Sequence, residues 1–341
     1  MRLNKVLLPL LFLSMAFGEL QRLPGTPVYA HDLIILALLG LNCRRLKFYR
    51  PVLWFGLAGL VSLVLAAFRM PLNQVLIGSL YLVRFLVYSL LLYLKIDWRY
   101  LLVFSSLIAG FGLLQYWLVP DTRWLLALNW DEHYYRLLST LLDPNFTGII
   151  LVLGLVLIYW YRPKAWWLYG LHLTALLLTY SRSSYLALFA AIVAVAVFKK
   201  RFKIILYIFI FLLSLFFLPR PGGEGVKLER IMSVKQRLSN YQLGYEFWQR
   251  SPVFGVGFNT LRYFRDNQAS HSASGLDSSL IFVLATSGIV GLLAYLNLLR
   301  SLWQKSLLVS VTLVALLVHS LFVNSLFYSF TLIWLWSVVD G

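Results

Sequence analysis

The sequence has 341 residues, 60% of them hydrophobic and only 13% charged, with 30 lysines and arginines against 13 acids. A soluble domain carries about 25% charged residues, so that class is excluded, and the lack of alternating strand patterns excludes a membrane barrel. The single cysteine, Cys43, excludes an intramolecular disulfide and a cysteine-cluster metal site, while topology and anionic lipid account for the net charge of +17 without nucleic acid.

Arg2 and Lys5 precede an apolar run from Val6 to Phe17 that could be taken for a signal segment. No small-x-small cleavage pattern follows, so the run is read as a retained first helix. Apolar runs then predict twelve spans, at roughly 5–18, 31–42, 51–68, 72–94, 99–119, 146–161, 165–180, 184–198, 202–218, 278–299, 305–321 and 325–338. The shorter ones depend on flanking Trp, Tyr, Arg and Lys to reach the interface. The expected fold is all-α: a polytopic integral membrane protein of about twelve transmembrane helices, forming a single membrane domain over residues 1–341. One large extracytoplasmic helical loop, 220–277, lies between spans 9 and 10 and is expected to be catalytic.

Alternate connections between the spans differ in charge. One set holds 16 of the 30 cations in short segments, with only Asp97 and Asp340 as acids. Cations in short loops face the cytoplasm. Both termini are then cytoplasmic, and the other set of connections, with 11 of the 13 acids, faces outward. That outer set contains 120–145, the Ser181-Arg182 turn and the long loop. Within the spans Arg84 stands out; a charge at that depth needs a partner or a role. No solenoid repeat is present, nor an inverted pair of broken spans of the transporter kind.

Asp143-Pro144-Asn145 opens a span, where Asp serves as a cap and Pro as the first helical residue; such a cap can also aim amides at an anion. Thr179-Tyr180-Ser181-Arg182-Ser183-Ser184-Tyr185 surrounds one guanidinium with hydroxyls, against the simpler reading of a snorkelling arginine. Arg230, Lys235 and Arg237 follow a helical pattern with apolar positions 228, 231, 234, 238 and 241. For Arg230 and Lys235 a solvated basic face is the simpler reading. His271 sits among small residues and can titrate near neutrality; the alternative is a loop histidine without a role. Asp277 can cap the helix behind it. His31, His133, His172 and His319 show no metal-site spacing. No Walker loop or GxSxG elbow is present, which argues against nucleotide hydrolysis and serine-esterase chemistry.

Over roughly 130–295 the chain resembles the O-antigen ligase and O-antigen polymerase superfamily of bacterial membrane glycosyltransferases. The residues that carry this are Arg136 through Asp143-Pro144-Asn145, Ser181-Arg182 with Leu186, Arg237 with Tyr241, the Pro252-x-x-Gly255-x-Gly257 turn, and Leu280 through Gly288-x-x-Gly291. The resemblance implies Arg136, Asn145, Arg182 and Arg237 as substrate-binding residues. Where the family has His-Asn or His-Ser before its glycine helix, this chain has Asp277-Ser278, with His271 six residues upstream, so the base falls on His271 or Asp277. It further implies a metal- and cofactor-independent transferase using an undecaprenyl-pyrophosphate-linked glycan at the outer face of the bacterial cytoplasmic membrane. The acceptor is a lipid-A core sugar, another glycan or a protein. A polymerase using the same donor and a flippase of lipid-linked oligosaccharide are the competing readings.

Overall fold

The computed structural model describes residues 3–23, 26–265 and 275–339. Among them the chain is helical, with two isolated bridges, Arg22 to Tyr29 and Asp121 to Tyr134, and no strand. The helices are α1 Asn4–Ala16, α2 Ala30–Leu41, α3 Arg50–Ala66, α4 Leu72–Ser89, α5 Trp98–Leu118, α6 Pro144–Tyr161 and α7 Trp166–Leu178. After them come α8 Arg182–Phe198, α9 Leu206–Phe216, α10 Met232–Arg250, α11 Ser279–Trp303, α12 Leu307–His319 and α13 Ser329–Val338.

Each expected span coincides with one apolar helix. Four of these, Leu72–Tyr93, Trp98–Leu118, Pro144–Tyr161 and Ser279–Trp303, are long and apolar enough to cross a membrane. The remaining eight apolar helices have 10–17 residues, short of the ~20 that a perpendicular crossing takes.

The most buried helices of the bundle are α6 and α13. Every residue of α13 is buried, including Trp334 and Trp336, and α6 is buried from Thr147 to Ile158. Helix α8 packs along α12, and α11 along α3. The periphery is apolar as well: Leu53, Leu57, Leu60 and Val64 of α3 and Leu206, Phe209, Ile210 and Leu213 of α9 are exposed. An apolar core with apolar outer faces fits surroundings of hydrocarbon, since a soluble monomer rarely shows such continuous patches.

The polar helix α10 packs on α11. Its expected apolar face turns outward: Ile231, Val234 and Leu238 are exposed, and the buried contacts come from Gly244 and Phe247. The Cβ of an alanine at 244 would overlap Ile281 and Leu276, so the glycine sets the closeness of the two helices. The turn after α10 is joined to α11 by main chain. Val256 and Gly257 donate to the carbonyls of Ala285 and Thr286 at 3.0 and 3.2 Å, and Ile289 and Val290 donate to Pro252 and Val253 at 2.9 and 3.2 Å. These bonds are possible because α11 breaks its helix at Gly288 (φ 66°, ψ −166°), a conformation open to glycine almost alone.

Candidate active site

A cavity of about 330 Å³ lies at one end of the bundle, beneath α10. It is walled by the α1–α2, α5–α6 and α12–α13 connections, by α4, and by the segment between α9 and α11. These connections all belong to the acid-rich set. Of the expected site residues, Asn145, Arg237 and Asp277 line it. Arg136 and Arg182 do not line it, and His271 lies outside the described residues.

Asn145 is placed by the cap of α6. Asp143 Oδ1 accepts the amides of Asn145 and Phe146 at 2.6 and 2.9 Å, as the Asp-Pro-Asn pattern predicts. Asn145 Oδ1 accepts from Ser181 at 2.8 Å. The serines expected around Arg182 turn inward: Ser181 meets Ser183 and Ser184 at 3.1 and 2.8 Å, and both of these reach His319 Nε2, at 3.3 and 3.2 Å. Ser325 donates to the Val323 carbonyl, so it receives its 2.7 Å bond from His319 Nδ1–H. That leaves the lone pair of Nε2 as the acceptor for one of the two serine hydroxyls, Ser183 or Ser184. His319, fully buried, thus anchors the hydroxyl network that holds Asn145.

Arg237 extends from α10 over the Phe322 ring, 5.4 Å from its centroid. Among the described residues its guanidinium makes no hydrogen bond or ion pair. Burial pushes it below its ordinary pKa; Asp277 opposes this and Arg182 adds to it. Asp277 was expected to cap α11, but Ser278 does so, accepting from Ile281 N. The shorter serine side chain reaches the amide from the N-cap position and frees Asp277 for the cavity. There Asp277 Oδ2 accepts from Asn240 at 2.7 Å. Burial raises its pKa above the usual aspartate range, against the lowering effects of Asn240, Arg237 and Arg265.

Arg182 Nη1 donates to the Leu228 carbonyl at 3.0 Å. Arg230 is not on a solvated helix face. It precedes α10, is half-buried, and donates to the carbonyls of Gly225 and Lys227, both at 2.8 Å, and of Tyr180 at 3.2 Å. Arg136 is buried and donates from Nε to Thr179 O at 3.0 Å. Burial, then Arg182 and Arg237, push Arg230 down to about 10, and burial with Arg230 pushes Arg136 down to about 9. Four guanidiniums therefore crowd one region at mutual cost, which an anion would relieve.

Sequence reading missed several cavity residues. Glu19, between α1 and α2, is buried and accepts from Tyr29 OH at 2.9 Å and from Tyr328 OH at 3.3 Å. Burial raises its pKa. Arg22, Arg262 and Arg265 also line the cavity, as does Asp131, whose pKa is raised by burial and then by Asp277. Arg84 has its partner: it pairs with Asp32 at 2.8 Å. The available signal was the acid content of the outer connections, since Glu19, Asp32 and Asp131 are rare charges in this composition. Among the described residues no cluster of three or more His, Cys, Asp or Glu side chains is placed to hold a metal ion.

The molecule is thus a helical membrane protein with an arginine-rich cavity at one end, covered by a polar helix. Residues 167–296 match a family model described as O-antigen ligase. The match runs from α7 into α11 and takes in Arg182, Arg237, the Gly255–Gly257 turn, Asp277 and Gly288. It supports the O-antigen ligase and polymerase superfamily, a group of bacterial membrane proteins, for this chain. No curated protein matches it.

Proposed function

We propose that this protein is a glycosyltransferase that moves a glycan from an undecaprenyl-pyrophosphate-linked donor to an acceptor hydroxyl, at the outer face of the bacterial cytoplasmic membrane. The observation that carries this reading is the convergence of Arg237, Asn145 and Asp277 on one cavity, backed by Arg136, Arg182 and Arg230.

In the reaction the acceptor oxygen bonds to the anomeric carbon as that carbon's bond to the pyrophosphate oxygen breaks. The leaving pyrophosphate takes the electron pair, and guanidinium donors stabilise the charge that develops there. Arg237 is suited to this because its donors face the cavity, and Asn145 offers an amide beside it. The acceptor proton passes to His271 or Asp277. In our assignment His271 takes it and Asp277 orients the ring. The acceptor is a lipid-A core sugar, a second glycan or a protein hydroxyl. A polymerase that extends lipid-linked glycan uses the same donor site.

The test is transfer by the purified protein in bilayers, with a defined lipid-linked glycan donor and each acceptor class offered separately. Release of undecaprenyl pyrophosphate with formation of one glycosylated product supports the proposal and names the acceptor. Movement of intact donor across the bilayer without cleavage would replace it with the flippase reading.

A further inference from the structure

A second cavity, of about 250 Å³, lies between α2 and α4. Its walls are apolar: Leu33 and Leu36 from α2, and Leu80, Val83 and Val87 from α4. Leu33, Leu36, Leu80 and Val83 are each more than half exposed, so the groove opens on the flank of the bundle, where the outer faces are apolar. At its inner end are Pro27, Tyr81 and Arg84, and the same three residues line the central cavity. The two spaces share this wall.

The shared wall has the one charged side chain that α4 places within its apolar length. Arg84 donates to Asp32 Oδ2 at 2.8 Å, and its guanidinium lies 5.3 Å from the Tyr29 ring centroid and 5.5 Å from that of Tyr81. Tyr88 OH donates to Asp32 Oδ1 at 2.5 Å, which fixes the carboxylate from the other side. Pairing makes the charge tolerable at this depth, and it holds the guanidinium at the junction between apolar groove and polar cavity. Beyond it, Arg22, Arg237, Arg262 and Arg265 line the cavity.

An apolar channel open to the side, a guanidinium at its inner end and further guanidiniums beyond match one kind of molecule: an amphiphile with a long apolar chain and a multiply charged anionic head. We propose that the α2–α4 groove holds the head-proximal part of a polyprenyl chain, with the phosphate passing Arg84 into the central cavity. This rests on the transferase reading for the identity of the head group. A phospholipid acyl chain would fill the groove equally well by hydrophobicity. The cavity beyond is lined by five arginines and four acids, Glu19, Asp131, Asp143 and Asp277, and burial favours the neutral form of each acid, so the positive excess suits a multiply charged head better than the single charge of a phosphodiester.

The test uses the full-length protein with a photo-crosslinking residue at Leu36 or Leu80, and at Leu114 on α5 as an equally exposed apolar control. Bilayers contain phosphatidylglycerol and labelled undecaprenyl phosphate. Capture of undecaprenyl phosphate at 36 and 80, about tenfold above capture at 114 and reduced by unlabelled undecaprenyl pyrophosphate, is expected. Equal capture at all three positions, or capture of phosphatidylglycerol alone at 36 and 80, overturns the proposal. In parallel, Leu36→Trp is expected to raise KM about tenfold for an undecaprenyl donor and to leave unchanged a donor whose pyrophosphate carries a methyl group in place of the isoprenoid chain; an unchanged KM for both also overturns it. The crosslink requires no turnover. Capture without transfer removes the enzymatic reading and keeps the groove, whereas transfer without selective capture does the reverse.

Discussion

The side-chain amide of Asn240 donates to Asp277 Oδ2 over 2.7 Å, which ties α10 to the loop entering α11. This bond favours the ionised carboxylate, whereas burial favours the neutral acid and prevails. If ionised Asp277 is needed for transfer, activity falls as the pH drops through its raised pKa. Asn240→Leu removes a stabiliser of the anion, so the acid limb of the pH–rate profile is expected to move to higher pH. A profile identical to wild type in Asn240→Leu would separate Asp277 from the rate.

His271→Ala is expected to reduce transfer by about 10²–10⁴-fold, the range of general base catalysis. Asp277→Asn is expected to leave a measurable rate, because an amide still positions a ring. Wild-type turnover in His271→Ala with a dead Asp277→Asn would reverse the two roles.

Arg237→Lys keeps the charge and loses the paired planar donors. With its guanidinium facing the cavity, the loss is expected to approach 10²–10³-fold in transfer rate, comparable to removing one oxyanion donor. Arg182→Lys acts through the Leu228 carbonyl and is expected to cost about tenfold. Both variants should insert normally, as judged by monodisperse elution in detergent; full activity in both would remove the arginines from the donor site.

Glu19 receives two phenolic O–H groups in a buried setting. Glu19→Gln keeps an acceptor for them. Glu19→Ala leaves Tyr29 and Tyr328 without one, at roughly 1–3 kcal/mol for each buried donor. Thermal unfolding in detergent should rank wild type and Gln together and Ala lower; equal midpoints for all three would show that water replaces the carboxylate.

A cysteine at Gly223, in a Cys43→Ser background, tests orientation, since Cys43 is the chain's single thiol and is exposed. Reaction with an impermeant maleimide in intact spheroplasts is expected; protection until permeabilisation would invert the topology.

Much of the fold was legible because a helix buried in lipid or protein must satisfy its backbone internally, which leaves long apolar runs in the sequence. Local chemistry was legible too: the Asp143 cap depends on its next three residues alone. Relations across the chain were not. Arg84 and Asp32 lie on different helices, and nothing in either segment names the other. Asp277 was read as the cap of the next helix, but Ser278 takes that place, and Asp277 reaches the cavity instead. The glycines of the Pro252–Gly257 turn and of Gly288–Gly291 were read as two separate motifs. They are two halves of one joint, since a side chain on Gly255 would strike the Thr286–Ser287 backbone, and one on Gly288 the Val253 carbonyl.

That joint gives α10 one fixed end and one yielding end. Its C-terminal side is sewn to α11 through main-chain bonds that no ligand competes for. The approach to its N-terminal side is held by Arg182 and Arg230, through carbonyls of Leu228, Gly225, Lys227 and Tyr180. A phosphate that recruits either guanidinium must take it from those carbonyls. Anion capture and loosening of the 225–231 stretch are then a single event, so hydrogen exchange there is expected to quicken when a pyrophosphate lipid binds, while exchange at 256–257 and 289–290 stays slow. Faster exchange at both ends would mean that the helix lifts as a whole.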